Sequence, residues 1–206
     1  MSNKSVMIFD EVELDGSPTR SSTPSREKAD KFKDAVTNAQ FLSKIGITSI
    51  RRADQMTIAM QAGRRRIIVH MNGGFHITSR PATLTEVLVV ERIAKAMMEA
   101  AGAVLGVKRL DLDFQLHHFF EEKESITRIE KVLGRLQSRL VFQKIRDFDP
   151  HYLLFGIGPS LEIGLGNGGH LDIYYEPRSI SVGDMKAKYL LRHIEHGLAL
   201  ALKELR

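Results

Sequence analysis

Pairs of acidic residues stand two positions apart in two apolar segments of the chain. Glu11 and Glu13 alternate with apolar residues, and Asp111 and Asp113 alternate with leucines in the same way. Side chains two apart on a strand share a face, so such pairs could bind Mg²⁺ or transfer protons. If the apolar residues face the core, however, the carboxylates face water, and we predict that they are solvated.

The histidines do not form a recognisable metal site. His117 and His118 are adjacent in a predicted strand and therefore point to opposite faces. His193 and His196 share a helix, but the leucine stripe of that helix turns His196 outward. The chain also lacks a nucleophile elbow, a dinucleotide fingerprint and a kinase signature. We therefore predict no catalytic residue, no metal and no cofactor, and favour a protein that is not an enzyme.

Three consecutive arginines, Arg64, Arg65 and Arg66, follow Gly63 at a predicted hairpin tip. Guanidinium groups bind phosphates through planar forks of donors, so this segment could contact an anionic partner. A basic stripe would be completed by Arg51, Arg52 and Arg80. The alternative is a solvated turn in which the arginines contact only water.

Composition is that of an ordinary globular protein. The 206 residues are 43% hydrophobic and carry a formal net charge of +5, which is a mild basic excess for this size. The absence of cysteine excludes disulfides and thiolate metal sites and suits a reducing compartment. No apolar run is long enough to span a bilayer, and the first residues do not resemble a signal peptide. We expect a cytoplasmic protein with no membrane partner.

Hydrophobic periodicity and turn residues predict two similar series of elements. The first series comprises a strand at 6–14, a flexible loop at 16–25, a helix that Ser25 or Thr23 caps and that runs to about Lys44, strands at about 45–52, 55–61, 65–71 and 74–79, and a helix from a capping box at Thr83 to about Val104. The second comprises a strand at 108–120, a helix at 125–138, strands at about 140–146, 151–158, 160–166 and 169–176, and a final helix after 181–184.

Short identities support an internal duplication. Asn72-Gly73-Gly74 recurs as Asn167-Gly168-Gly169, and Ile50–Asp54 resembles Ile145–Asp149 at the same spacing of 95 residues. We therefore predict two β-α-β4-α repeats, at 1–105 and 106–206, that build one pseudo-twofold α+β domain. Its antiparallel sheet would carry the helices on one face.

This order of elements resembles the topology of the TATA-box-binding protein. The resemblance spans nearly the whole chain and implies a curved, saddle-shaped sheet with helices on the convex side. Paired phenylalanines in the saddle strands kink DNA in that family. Here Phe75 and Phe155 are single and both fit the core face, so only the fold is carried over.

Strand alternation predicts which side chains leave each face of the sheet. On the helix side of the first half we expect Met56, Ile58, Met60, Ile67, Val69, Phe75 and Ile77. The open side is then predicted to be basic in the first half, and acidic and aromatic in the second.

We therefore predict a non-enzymatic binding protein that uses the open sheet face for a macromolecular partner. That partner is a nucleic acid, another protein, or a second copy in a homodimer. The residues predicted to contact it are Arg51, Arg52, Arg64, Arg65, Arg66, His70, His76, Arg80, Tyr152 and Tyr174.

The alternative is a small-molecule site or an enzyme in the concavity of the sheet. Five residues from the two halves would form it: His70, His76, His170, Glu162 and Asp172. If they converge on one cavity, acid–base or metal chemistry is favoured. If they are spread along the surface, the binding function is favoured.

Overall fold

A computed structural model describes residues 8–20, 23–47, 49–119, 152–157, 161–166, 170–175, 179–185, 189 and 192. Its helices are α1 (Arg26–Thr37), α2 (Ala39–Lys44) and α3 (Leu84–Leu105). Its strands are β1 (Ile8–Phe9), β2 (Glu11–Pro18), β3 (Ile50–Ala53), β4 (Thr57–Ala62), β5 (Arg65–His70), β6 (Phe75–Ser79), β7 (Ala82–Thr83), β8 (Arg109–Phe119), β9 (Tyr152–Ile157), β10 (Leu161–Gly166), β11 (His170–Tyr175) and β12 (Ile180–Ser181).

The described strands form one large antiparallel sheet and a small second one. The large sheet runs in the order β3-β4-β5-β6-β2-β8-β11-β10-β9, with β12 also pairing with β8, and β1 pairs with β7 separately. The α+β class with an antiparallel sheet, predicted from the sequence, is confirmed. The described order is similar on both sides of the β2–β8 pair: outward from β2 come β6, β5, β4 and β3, and outward from β8 come β11, β10 and β9, in both cases against the order of the chain. The exact repeat boundaries stay a prediction.

One predicted helix is in fact two. Ser25 caps α1 as predicted, its side chain accepting from the backbone N–H of Lys28. The helix stops at Asn38, whose extended backbone (φ −69°, ψ 153°) ends α1 while its side chain accepts from Phe41 N at 2.8 Å and begins α2. Asn at a helix start supplies this acceptor more readily than it continues a helix. The predicted strand at 45–52 correspondingly begins only at Ile50.

The start and end of α3 follow the sequence signals. Thr83 accepts from Glu86 N at the first turn, and Gly106 ends the helix with φ at 75°. The second half of the predicted capping box is not formed, because the Glu86 carboxylate instead binds Arg65 and Ser79. No helix among the described residues is both long and apolar enough to cross a bilayer.

The prediction of a flexible loop at 16–25 is wrong for its first three residues. Strand β2 continues through Gly16 and Ser17 to Pro18, each of which pairs with β8. The segment can join the sheet because Gly16 lies against the ring of Phe75, where no side chain would fit. The glycine and proline of this segment therefore mark a crowded strand rather than a turn.

The core lies between one face of the sheet and the helices. The strands contribute alternate residues to it, including Val12, Leu14, Ile58, Met60, Ile67, Val69, Phe75, Ile77, Leu110, Leu112, Phe114 and Leu116, all at most 2% exposed. Phe32 and Val36 of α1, together with the buried face of α3, cover them. The predicted placement of Met56 in this core is wrong: it precedes β4 in a tight turn and is 68% exposed.

The predicted strand at 140–146, the helix at 125–138 and the final helix lie outside the described residues. The strands β9, β10 and β11 were predicted correctly to within a few residues. They show that the second half contributes the far side of the same sheet.

Candidate functional site

The open face of the sheet carries the side chains that alternate with the core residues. On the two middle strands these are mainly acidic: Glu11, Glu13 and Asp15 of β2, and Asp111 and Asp113 of β8. We call these five residues the acidic centre. Because β2 and β8 pair with each other, carboxylates that are about a hundred residues apart in sequence become neighbours.

His76 hydrogen-bonds to the acidic centre. Its Nδ1 lies 2.7 Å from Asp15 Oδ1, across the register pair that joins β6 to β2. The hydrogen bond to Asp15 raises the pKa of His76 above its ordinary value, and the charges of Asp15 and Glu13 add to this, although burial and Arg66 oppose it. An imidazolium at this position neutralises part of the acidic centre.

Asp113 is the least satisfied group of the site. It stands directly opposite Asp15 in the register of β2 and β8. Its Oδ2 accepts from Gln115 at 3.1 Å, but its Oδ1 is buried and has no hydrogen-bond partner among the described residues. Burial raises the pKa of Asp113, and the nearby charge of Asp15 raises it further. Burying a charged carboxylate oxygen without a donor costs free energy, so the protonated form of Asp113 is favoured.

Glu13 and Glu11 complete the row along β2. Burial raises the pKa of Glu13, as does the charge of Glu11, while His117 and His76 act in the opposite direction. Glu11 is bound by Arg80, and its side chain is only 12% exposed. The acidic centre thus contacts Arg80 at Glu11 and His76 at Asp15, whereas no ion pair is described for Asp113.

The predicted arginine cluster is not formed as one surface. Successive strand residues alternate, so Arg66 is on the open face while Arg65 turns to the helix side and binds Glu86. Arg64 donates instead to the carbonyl of Pro81 at 3.1 Å. Of the three, Arg66 therefore shares the open face with the acidic centre, and β6 lies between its strand and β2.

The other predicted contact residues are spread over the sheet. Arg51 and Arg52 lie on β3, at one end of the described strand order, and Arg52 is 3.5 Å from Asp54. His70 ends β5. By backbone register Tyr174 is opposite Gln115, and Tyr152 is opposite Gly166 near the other end of the order. Their binding roles stay predictions.

The alternative five-residue site is spread over too many strands to surround one cavity. His70 and His76 are on β5 and β6, whereas Asp172 and His170 are on β11 and Glu162 is on β10. Strands β2 and β8 separate these groups, and neighbouring strands are about 4.8 Å apart. Within the described part of the chain, no three histidine or acidic residues are arranged to hold a metal ion.

Two residues that strand pairing brings into the candidate site were not predicted from the sequence. Asp15 and His117 were not predicted as site residues, although His117 is opposite Glu11 and in register with Asp172. Their signal was present in the alternation of β2 and β8, but only the pairing of these two strands brings them together. The carboxylates of the acidic centre are also less solvated than predicted, since Asp113 and Glu13 are half-buried.

The fold and the site thus define an α+β protein with one exposed, charged sheet face. No protein-family model matches the chain, and comparison with curated proteins gives no match. Among solved structures, Methanococcus jannaschii TBP is similar over 96% of this chain and 97% of that chain, with 8% sequence identity and a TM-score of 0.37.

Proposed function

We propose that this chain is a non-enzymatic binding protein that docks a second protein on the open face of its sheet. In this proposal, lysine or arginine side chains of the partner enter the acidic centre. The observation that carries the proposal is the clustering of five acidic side chains on β2 and β8, where Asp15 stands directly opposite Asp113.

Charge complementarity selects a basic partner. Two carboxylates directly opposite each other on neighbouring strands repel, and a cation placed between them removes that repulsion. Burial raises the pKa of Asp113 and of Glu13, and the charges of Asp15 and Glu11 raise these values further, so a positive charge brought to this surface would relieve the repulsion among the carboxylates.

A nucleic acid is less suited to the same surface. The five acidic residues occupy the middle of the described open face, whereas Arg52, Arg66 and Arg80 lie to one side of it. Arg52 and Arg80 are already beside Asp54 and Glu11. Because each phosphate contact requires an available cation, a polyanion laid across the sheet would meet more repulsion than attraction.

Fluorescence anisotropy with defined probes tests the proposal. The probes are labelled oligolysine, oligoglutamate of the same length, and single- and double-stranded DNA and RNA, each measured over a salt titration. We expect oligolysine to bind and the anionic probes not to bind. The variants Asp15→Asn and Asp113→Asn should each weaken oligolysine binding by about tenfold, which corresponds to about 1.4 kcal/mol.

Asp34→Asn is the matched control, because Asp34 is exposed on α1 and outside the sheet face. It removes the same charge and should leave binding unchanged. Equal binding by the wild type and both sheet variants would overturn the proposal. Salt-sensitive binding of DNA or RNA that is lost in Arg66→Gln would instead establish the nucleic-acid function. Sedimentation of the unliganded protein reports whether the partner is a second copy.

A further inference from the structure

A concave cavity of about 470 Å³ lies at the end of the sheet, where β5 finishes and α1 begins. Its walls come from the first turns of α1, the turn before β4 and the turn after β5. Sites for small molecules are usually concavities of about 300–1,000 Å³ with mainly apolar walls and a few polar groups. The cavity is distinct from the acidic centre, and none of the five residues of that centre lines it.

The charge of this cavity is opposite to that of the acidic centre. Arg26, Lys33 and His70 line it, and Asp30 is the single carboxylate among the described lining residues. Lys33 reaches the carbonyl of Asp54 at 3.5 Å, which holds its ammonium group at the wall.

A smaller cavity of about 200 Å³ adjoins the first. The two share Thr23, Pro24 and Asn72, and the smaller one is lined by Arg20 and Lys28. Four side chains with permanent positive charge therefore surround the short segment at 23–24. That concentration favours a ligand with more than one negative charge, such as a phosphate, over a single carboxylate.

Two methionines add apolar surface to the lining of the cavity. Met71 is 4% exposed, whereas Met56 is 68% exposed and therefore lies at the rim. Met56 is the one large hydrophobic side chain that is exposed in the described part of the chain. Its turn is fixed, because Asp54 Oδ1 accepts from the backbone N–H groups of Met56 and Thr57 at 2.8 and 2.7 Å. Thioether side chains adapt to flat or irregular apolar groups, so the rim suits an organic body.

We propose that this cavity binds a small organic phosphate. Arg26 and Lys33 contact the phosphate, and the body of the ligand lies against Met56 and Met71. The proposal is independent of the function proposed for the sheet face, because none of the five residues of the acidic centre lines the cavity and the charges of the two sites are opposite.

The test uses the full chain with ¹³C-methyl-labelled methionine, followed by NMR. Adenosine 5′-monophosphate has both an organic group and a phosphate. Adenosine has the organic group alone, and inorganic phosphate has the negative charge alone. We expect the nucleotide to shift the methyl resonances of Met56 and Met71 at millimolar concentration. Each of the two fragments should bind at least tenfold more weakly. Assignment follows from Met56→Leu and Met71→Leu spectra.

Variants that each remove one positive charge test whether Arg26 and Lys33 contact the phosphate. Arg26→Gln and Lys33→Gln should each weaken nucleotide binding about tenfold, whereas Arg92→Gln, on the exposed surface of α3, should not change it. Asp113→Asn should also leave nucleotide binding unchanged while it weakens oligolysine binding, which separates this proposal from the function proposed above. Equal binding of adenosine and the nucleotide, shifts confined to other methionines, absence of any shift, or insensitivity to Arg26→Gln would each overturn the proposal.

Discussion

Asp15 and Asp113 lie directly opposite each other on β2 and β8, near the middle of the sheet. Asp15 also contacts His76 on its other side, so one row across three strands runs from an imidazole through two carboxylates. Residues opposed in this way have Cβ atoms about 5 Å apart, a distance at which like charges destabilise a sheet. In this row Asp15 is paired with His76, whereas Gln115 is the only described hydrogen-bond donor to Asp113.

Asp113→Asn is expected to stabilise the protein at neutral pH, by about 0.5 kcal/mol. Burial and Asp15 raise the pKa of Asp113 in the folded state, so folding favours its protonated form. Its contribution to the free energy of unfolding therefore falls as the pH rises from the unfolded pKa, about 3.9, through the folded pKa. The asparagine variant should lose this dependence. Urea unfolding at several pH values measures it.

The control for this prediction is Asp111→Asn on the same strand. Asp111 is exposed and only accepts from Thr19 Oγ1 at 3.4 Å. Its replacement should change the free energy of unfolding little. A destabilised Asp113→Asn variant at neutral pH would show that the charge of Asp113 is compensated in the folded protein.

Asp15→Asn is expected to lower the pKa of His76. The hydrogen bond that His76 donates to Asp15 is the largest cause of the raised pKa, and an asparagine amide cannot replace the charge of the carboxylate. The stabilisation from charged His76 is fully present below the unfolded pKa, about 6.5, and is lost as the pH rises through the raised folded pKa. NMR titration of the imidazole ring measures the shift directly. Asp111→Asn should leave the titration where it is, and an unmoved midpoint in Asp15→Asn would contradict the assignment.

Arg65→Met is expected to destabilise the protein by about 3 kcal/mol, because it leaves a buried carboxylate without its cation. The Glu86 side chain is 7% exposed and is held by Arg65 and by Ser79 Oγ, which donates at 3.1 Å. Burial acts to raise the pKa of Glu86, but the hydrogen bonds and charge of Arg65 outweigh it and hold the pKa below its ordinary value.

Two comparisons separate this effect from the general loss of a charge. Lys31→Met breaks an exposed pair with Glu27 one helical turn away and should cost no more than about 0.5 kcal/mol. Arg65→Met combined with Glu86→Leu should recover part of the loss, since no buried charge then remains unpaired. Thermal and urea unfolding measure both, and equal costs for the two single variants would contradict the prediction.

Gly16→Ala is expected to cost about 1–3 kcal/mol by overpacking. A methyl group at this position would overlap the ring of Phe75, which is 2% exposed and has no room to move. Adding Phe75→Leu should relieve part of the cost. Gly183→Ala is the control, because no described heavy atom lies within 4 Å of the position of its methyl group. If Gly16→Ala leaves the free energy of unfolding unchanged, then Gly16 of β2 is not packed as closely against Phe75 of β6 as the structure shows.

Local patterns in the sequence predicted much of the architecture. The alternation of Leu110, Leu112, Phe114 and Leu116 assigned the core face of β8 correctly, because neighbouring strand residues must point to opposite faces whatever the strand pairs with. Thr83 and Ser25 marked helix starts, since a capping side chain acts within one turn. The same local logic failed at Gly16, where the reason for a glycine is the ring of Phe75, a residue far along the chain.

The candidate site depends on which strands pair with each other, and no local sequence pattern predicts that pairing. The sequence alone predicted that Glu13 and Asp113 leave the sheet on the side away from the core. Only the tertiary structure decided that β2 pairs with β8, which places Asp15 opposite Asp113 and makes one acidic centre of two separate segments. It likewise decided that the partner of Arg65 is Glu86. The direction of a side chain follows from its own strand, whereas the identity of its neighbour follows from strand order, which long-range packing determines.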